Sequence, residues 1–184
     1  NAPIGDKPVS EADFIGNLIL VLVGGNETTR NSLSHSIAAF ASFPDEWRRL
    51  RADPSLMKGA VREMVRYATP VMHMRRTAMS DTEIGGQKIA KGDKVVTWFA
   101  AANRDEAEFP DPDRFDITRS NISHLGFGTG QHSCVGFRLA EMQLRVAFEQ
   151  LATRVSGFEV VGKPKRFRSN FINGLKDLNV VLLS

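Results

Sequence analysis

The sequence has 184 residues, enough for one globular domain with a sizeable core, and its 42% hydrophobic and 24% charged residues are ordinary for a soluble fold. The net charge of +3, with lysines and arginines scattered along the chain, argues against nucleic acid as the main partner. The single cysteine, Cys134, excludes an internal disulfide and fits a reducing cytoplasm, which is the expected location.

The amino-terminal segment predicts neither a secretory signal nor a membrane span. The first ten residues are polar and lack the apolar core of a signal peptide. The longest apolar run, Phe14 to Val23, contains Asn17 and is too short to cross a bilayer, so we expect a buried helix and no membrane association. Because Asn1 stands where an initiator methionine would be, we expect a fragment or a processed product.

Helices bounded by capping residues and prolines are predicted in the first third of the chain. Ser10 followed by Asp13 is typical of an N-cap with an acidic first turn. Proline favours the first turn of a helix and stops a helix that precedes it, so Pro44, Pro54 and Pro70 mark boundaries. The predicted helices span residues 11–43, 44–51 and 54–68.

The middle of the chain predicts short strands and a long coil. Strands around glycine turns are expected over residues 83–89 and 94–98. Residues 103–133 are rich in Asn, Asp, Pro and Gly, so they are expected to be mostly irregular. So long a coil inside a compact domain is usually functional.

The last third predicts one helix and one hairpin. Apolar residues recur at helical spacing over residues 136–154. Strand-like segments over 167–172 and 178–183 flank Asn173–Gly174, and Asn-Gly is a strong hairpin-turn signal. The predicted fold class is therefore mainly α with small β-sheets (α+β).

The first candidate site surrounds the cysteine, in the sequence Phe–Gly–Thr–Gly–Gln–His–Ser–Cys–Val–Gly from Phe127 to Gly136. Alternating glycines at positions 126, 128 and 130 let the backbone turn sharply and approach a flat ligand closely. Cys134 is expected at the start of the next helix, where backbone N–H groups favour a negatively charged sulfur of the kind that binds haem iron.

A buried core cysteine is the alternative interpretation of Cys134. Zinc is disfavoured because His132 is only two residues away and no second cysteine completes the usual four ligands. A phosphate loop is disfavoured because no Lys-Ser/Thr pair follows the glycines.

A second candidate site lies inside the first long helix, at Gly24–Gly–Asn–Glu–Thr–Thr29. Paired glycines, and alcohols that bond helix carbonyls, are known causes of a local opening. The adjacent acid and alcohol, Glu27 and Thr28, would then orient water and pass protons. A glycine-flexed packing contact with a capping threonine remains an equal alternative.

A third motif is Glu63–Met–Val–Arg66, whose charged ends share one side of a helix. Such pairs usually decorate solvated faces. With Pro112–Asp–Arg–Phe115 downstream, however, Arg114 is expected to join Glu63 and Arg66 in a buried charge network.

These motifs, in this order and with these residues, resemble the cytochrome P-450 monooxygenases over essentially the whole chain. The resemblance implies haem b as cofactor, O2 as co-substrate and Cys134 as the axial thiolate. It also implies the carboxy-terminal half of the family's fold, because members of the family are longer. Residues 1–184 are thus expected to be the haem-binding part of a single domain that turns over only as the whole protein.

The resemblance also assigns roles to individual residues. Glu27 and Thr28 would deliver protons to bound dioxygen, and Glu63, Arg66 and Arg114 would brace the cysteine loop. Arg76 would pair with a haem propionate, with Arg75 as the competing candidate. The remaining cofactor-binding positions are His132 for a propionate, Phe127 near the sulfur, and the loop glycines Gly128 and Gly136.

Substrate and partner follow from the resemblance to soluble bacterial branches, which hydroxylate alkanes and fatty chains, monoterpenoids or sterol side chains. An apolar substrate is expected, with electrons from NAD(P)H through a ferredoxin that meets Arg138 and Arg145. A peroxide-driven hydroxylase and a haem-binding protein without turnover remain alternatives. The expected pocket-lining residues, for which core packing is the alternative, are Val21, Val71, Met72, Phe171 and Ile172.

Overall fold

The computed structural model describes residues 3–4 and 7–184, where helices alternate with small antiparallel sheets. The helices are α1 (Glu11–Ser42), α2 (Pro44–Ala52), α3 (Met57–Ala68), α4 (Phe99–Ala102) and α5 (Phe137–Ala152), with 3-10 turns at Pro54–Leu56 and Gly130–His132. The strands are β1 (Pro3–Ile4), β2 (Lys7–Pro8), β3 (His73–Thr77), β4 (Thr82–Ile84), β5 (Gln87–Ile89), β6 (Lys94–Trp98), β7 (Gly157–Arg166) and β8 (Leu175–Leu183).

Each sheet has two strands, and their order is β1–β2, β3–β6, β4–β5 and β7–β8. The mainly helical architecture with small sheets confirms the predicted fold class. The long coil is confirmed, because residues 103–133 consist of turns, bends and irregular backbone with one 3-10 turn.

The helix boundaries follow the local signals in the sequence. The Ser10 side chain accepts a hydrogen bond from the Asp13 backbone N–H at 3.1 Å, which caps the start of α1. Pro44 occupies the first position of α2, where its missing N–H costs no hydrogen bond. The Asp53 carboxylate accepts from the Ser55 N–H at 3.0 Å and begins the turn that leads into α3.

The core forms where the carboxy-terminal part of α1 meets α2, α3, α5 and β7. Phe40 is the centre of an aromatic cluster, with its ring centroid 4.9 Å from Trp47, 5.0 Å from Phe115 and 5.5 Å from Phe148. The Trp47 indole N–H donates to the Val155 carbonyl at 3.2 Å, so this large buried ring also keeps its polar atom satisfied. The cluster therefore anchors one edge of the coil, through Phe115, to the helices.

The final hairpin differs from its prediction. Its strands are β7 and β8, so the predicted strand over residues 167–172 is wrong, and β7 was not predicted from the sequence. Residues 167–172 lie in the connection between the strands. The backbone of Phe171 and Ile172 bonds a different segment: the Met72 N–H donates to the Phe171 carbonyl at 2.9 Å, and Ile172 forms a bridge with Val71.

Candidate functional site

The cysteine loop depends on glycine at Gly128. Its φ of +69° is a conformation that side chains rarely adopt, and a Cβ there would lie 3.0 Å from the His132 carbonyl oxygen. A Cβ on Gly126 would lie 2.8 Å from a methyl group of Val65, so the loop packs closely against α3. Gly136, the residue before α5, has a φ of −94° and makes no comparable demand.

Cys134 is exposed and lies three residues before the start of α5. Its backbone N–H donates to the Phe127 carbonyl at 2.8 Å, which closes the loop, and its carbonyl accepts from the Phe137 N–H at 3.3 Å. The Phe127 ring is half-buried against the core, 6.1 Å from the Phe137 ring. The thiol is thus presented outward by a loop whose backbone is held on both sides.

The donor set around Cys134 fits a cofactor that takes a single protein ligand. Within residues 3–4 and 7–184, no group of three or more His, Cys, Asp and Glu side chains is placed to hold a metal ion. A closed zinc site would need such a group. A haem iron can be held by a single cysteine thiolate, and the exposed Cys134 would supply it.

The cationic residues predicted to meet the haem propionates are exposed. His132 closes the 3-10 turn of the cysteine loop, two residues before Cys134. Arg76 lies on β3 opposite Val95, and Arg75 lies opposite Val96. Because successive strand residues point to opposite faces, only one of the two arginines can face a given ligand.

Glu27 and Thr28 lie on a helix that is continuous, so the local opening of α1 at Gly24 and Gly25 is not formed. The Thr28 hydroxyl donates to the Gly24 carbonyl at 2.6 Å, and the helix ladder persists beside it. The Glu27 carboxylate pairs with Arg30 at 2.7 Å. This hydrogen bond, assisted by one from Asn31, lowers the pKa of Glu27.

The charge network at Glu63 is real but has a different third member. Glu63 and Arg66 are fully buried and form two hydrogen bonds, at 2.7 and 2.8 Å. The Arg114 side chain is exposed, and the residue contributes its carbonyl oxygen, which accepts from Arg66 at 3.2 Å. The second guanidinium on Glu63 is that of Arg119, at 3.2 Å, so the assignment of Arg114 is corrected.

Arg119 and Glu46 are two residues at this site that the sequence did not identify. The Glu63 carboxylate accepts the Asp116 N–H at 3.0 Å, and the buried Glu46 carboxylate accepts the next N–H, of Ile117, at 3.1 Å. Two carboxylates from different helices therefore hold adjacent amides of the coil. The only sequence signal for Arg119 was a second arginine five residues after Arg114, and Glu46 resembled any acid in a first helical turn.

The predicted pocket-lining residues divide into two groups. Val71 and Met72 are joined by backbone bonds to Ile172 and Phe171, so these four lie together. Val21 lies apart, on the first half of α1, where its side chain is 63% exposed.

Two histidines without a predicted role, His35 and His124, form hydrogen bonds to backbone groups. His35 bonds the Asn173 carbonyl through Nε2 at 3.0 Å, and the His124 Nδ1 accepts the Gly126 N–H at 3.0 Å. Burial lowers the pKa of each to about 4, so both are neutral at pH 7.

Within residues 3–4 and 7–184, no helix combines the length and the apolar composition that a membrane span requires.

Comparison with known proteins gives consistent matches over the length of the chain. The cytochrome P450 family model matches residues 4–172. Linalool 8-monooxygenase from Pseudomonas putida is 66% identical over 183 residues, and steroid C26-monooxygenase from Rhodococcus jostii is 41% identical over 180 residues. The chain is covered to 100% and 97%, but spans only 45% and 38% of these relatives.

Solved structures agree in fold. A cytochrome P450-153 from Novosphingobium aromaticivorans matches 95% of the chain with a TM-score of 0.90 at 47% identity. A Mycobacterium marinum cytochrome P450, CYP268A2 in complex with pseudoionone, matches 99% with a TM-score of 0.94 at 39% identity. The chain covers 45% and 44% of these two structures. On the family match and these identities, the chain belongs to the cytochrome P450 family.

Proposed function

We propose that residues 1–184 are the carboxy-terminal, haem-binding part of a single domain, and that the whole protein is a haem-thiolate monooxygenase of the cytoplasm. It would insert one oxygen atom of O2 into an apolar substrate. The observation that carries this proposal is the exposed Cys134 thiol on a loop shaped by Gly128 and closed on Phe127. Membership of the family, among relatives named as monooxygenases, supports it.

In this proposal Cys134 binds the iron of haem b through its thiolate sulfur. His132 and Arg76 pair with the propionates, since a guanidinium suits carboxylates through its planar fork. When bound, the haem supplies oxygen activation, and a thiolate ligand favours cleavage of the O–O bond. The role of the protein is to hold the loop, exclude water and deliver protons.

Proton delivery is assigned to Glu27 and Thr28. Glu27 is ionised at neutral pH like any glutamate, and the hydrogen bond from Arg30 lowers its pKa further, so it must collect a proton before it can pass one on. The Thr28 hydroxyl, one residue away, already donates to a helix carbonyl and can turn to donate to a ligand instead.

The proposed substrate is a branched, hydrocarbon-like molecule of the terpenoid, fatty-chain or sterol type. Val71, Met72, Phe171 and Ile172 supply an apolar lining, and Phe171 is 41% exposed and available for contact. The relatives support this class, since they are named for linalool, methyl-branched lipid and steroid oxidation.

A ferredoxin-type protein is proposed as the electron donor, meeting Arg138 and Arg145 near the cysteine loop. Arg145 is paired with Glu149 at 3.3 Å, whereas the Arg138 guanidinium stacks over the Phe137 ring at 5.5 Å. Because Arg145 is already paired with an acid of its own helix and Arg138 is not, Arg138→Glu should slow reduction by the ferredoxin at low salt more than Arg145→Glu does. Unchanged reduction rates in both variants would remove this docking face.

A peroxide-driven hydroxylase is the second candidate, and retention of Glu27 and Thr28 argues against it. Turnover of the whole protein with isotopically labelled dioxygen, NADH and a ferredoxin system separates the two. The monooxygenase predicts one labelled oxygen atom in each product molecule. Product that appears only when peroxide is added, and none with NADH, would overturn the proposal.

A further inference from the structure

Glu27 has two hydrogen-bond partners, and both rest on the same loop. Residues 167–174, here called the hairpin loop, connect β7 to β8. Arg30 pairs with Glu27 at 2.7 Å, and its guanidinium carbon lies 5.7 Å above the ring of Phe167 in that loop. Asn31 is the other partner, with its Nδ2 donating to Glu27 Oε2 at a longer 3.4 Å.

The Asn31 side chain is fully buried, and its orientation is determined by its neighbours. Its Oδ1 accepts the backbone N–H of Leu175 at 3.2 Å, directly after the hairpin loop. A reversed amide would set its NH2 group against this N–H and its oxygen against the Glu27 carboxylate. Nδ2 therefore has to face Glu27.

The hairpin loop packs directly on this amide. A Cβ on Gly174 would lie 3.1 Å from Asn31 Nδ2 and 2.3 Å from the Phe167 ring, so only glycine permits the approach. One turn further along α1, His35 bonds the Asn173 carbonyl at 3.0 Å. The Asn173 side chain in turn donates to the Ala68 carbonyl at the end of α3, at 2.7 Å.

The same loop carries the pocket-lining Phe171 and Ile172, which are bonded to Met72 and Val71. The eight residues of the hairpin loop therefore include the predicted substrate-lining residues and also contact Arg30 and Asn31, the two partners of Glu27. We propose that Asn31 is a positioning residue, which holds the Glu27 carboxylate and ties it to the hairpin loop, so that the substrate-contacting segment controls where the proton-delivering acid sits. This inference rests on the proposed monooxygenase function.

Asn31→Asp separates the two contacts of the side chain. An aspartate keeps an oxygen for the Leu175 N–H, but it replaces the donor to Glu27 by a second carboxylate. We expect product formed per NADH consumed to fall on the order of tenfold, because small misplacements of a catalytic group are costly. Substrate affinity from the spectral binding shift, and hydrogen exchange at the Leu175 amide, should stay as in the parent protein.

The decisive comparison is a double-mutant cycle with Glu27→Gln in the haem-loaded whole protein. If Asn31 acts through Glu27, then Asn31→Asp lowers coupling in the parent and changes nothing further in the Glu27→Gln background. Phe167→Ala, which removes the surface under Arg30, should show the same dependence on Glu27. Ser34→Ala, at a half-buried position on the same helix, is the control and should leave coupling unchanged.

Equal losses in both backgrounds, or full coupling in Asn31→Asp, would overturn the positioning role. Loss of haem or of substrate affinity with unchanged coupling would also overturn it, because that is the result of a purely structural contact. Failure of the parent protein to form product from O2 would instead contradict the proposed function, so the two failures are distinguishable.

Discussion

Glu63 and Arg66 are charged residues with no exposed surface, and they are held by hydrogen bonds on several sides. Arg66 donates to Glu63 and to the carbonyls of Asn103 and Pro112 at 2.6 and 2.9 Å. A buried ion pair of this kind is stable only when its remaining donors and acceptors are also satisfied. These two residues therefore set the path of the coil rather than adding much net stability.

Removal of Arg119, the second arginine on Glu63, should lower the stability of the protein. Arg119→Leu takes away the second cation on Glu63 and three hydrogen bonds to the carbonyls of Pro110, Asp111 and Arg114. We expect a loss of about 2 kcal/mol in the free energy of unfolding, since hydrogen bonds to charged groups are the strong ones. Chemical denaturation of the haem-loaded protein measures it.

Arg114→Leu is the matched control, because the exposed Arg114 acts through its backbone carbonyl, which the substitution keeps. Its stability should lie close to that of the parent protein. A loss as large as that of Arg119→Leu would restore Arg114 to the network.

His35 should make stability depend on pH. Its pKa is lowered from 6.5 to about 4, first by burial and then by Arg166. Between these two pKa values the unfolded chain is protonated at His35 and the folded chain is not. The contribution of His35 to stability is therefore complete above pH 6.5 and is lost as the pH falls from 6.5 towards 4. The slope is about 1.4 kcal/mol per pH unit for one such group.

The control for this titration is His35→Gln, whose amide can still donate to the Asn173 carbonyl but does not titrate. His124 titrates in the same direction in both proteins. Thermal unfolding midpoints of the variant should fall less between neutral and mildly acid pH. Identical pH profiles would show that His35 is not held neutral.

At the scale of elements, the coil over residues 103–133 is shaped by helices rather than by its own backbone. The carboxylates of Glu46 in α2 and Glu63 in α3 illustrate this, because they accept adjacent backbone N–H groups of the coil. At the start of the coil, the Asn103 Oδ1 accepts the Leu125 N–H at 2.7 Å, and its Nδ2 donates to the Thr69 hydroxyl at 2.9 Å. The sequence predicted an irregular, functional coil from its composition. It did not identify Arg119, Glu46 or Asn103, because their partners are tens of residues away and no local pattern encodes such pairs.

The helices were predicted well because their signals are local, as with Ser10 at the start of α1 and Pro44 at the start of α2. The hairpin was misplaced for a physical reason. Apolar residues over 167–172 resemble a strand, but the backbone of Phe171 and Ile172 pairs with residues 71–72. β8 pairs instead with β7, which contains Gly162 and Pro164. Tertiary contacts overrode the local pattern.

Substitution of Gly128 tests whether the backbone shape of the cysteine loop is needed for haem binding. Gly128→Ala adds a Cβ to a residue whose backbone is in the left-handed region. This Cβ would lie 3.0 Å from the His132 carbonyl oxygen. We expect a lower ratio of haem to protein in the purified variant, because the segment before Cys134 must shift. Absorbance of the haem relative to total protein measures it.

Gly162→Ala is the control for backbone strain, since Gly162 has a φ of +74° but open space around it, in β7. Its cost should be about 1 kcal/mol of stability, as for other alanines in this conformation, with haem content unchanged. Equal haem loss in both variants would mean that the Gly128 contact is unimportant.

At the scale of the molecule, the first half of α1 is an apolar surface. Leu20, Val21, Leu22 and Val23 are each 61–68% exposed, whereas the buried positions of α1 begin at Asn31. A continuous apolar surface of this kind normally packs against other protein or a ligand. The chain covers less than half of the length of two curated relatives, linalool 8-monooxygenase and methyl-branched lipid omega-hydroxylase.

We therefore expect residues 1–184, expressed alone, to bind a hydrophobic dye and to hold haem weakly and without turnover. Dye fluorescence and the haem-to-protein ratio are the measurements. Substitution of Leu20 by Ser should lower dye binding. Stoichiometric haem in the isolated chain would show that this half completes the site by itself.

The identity of the iron ligand can be tested most directly, by spectroscopy of the haem-loaded protein. The haem-loaded whole protein, reduced and treated with carbon monoxide, should give the red-shifted Soret band of a thiolate ligand, and Cys134→Ala should abolish it. His132→Ala, two residues away, should lower haem content and leave the band position unchanged. A thiolate-type band that survives in Cys134→Ala would contradict the assignment of Cys134 as the iron ligand.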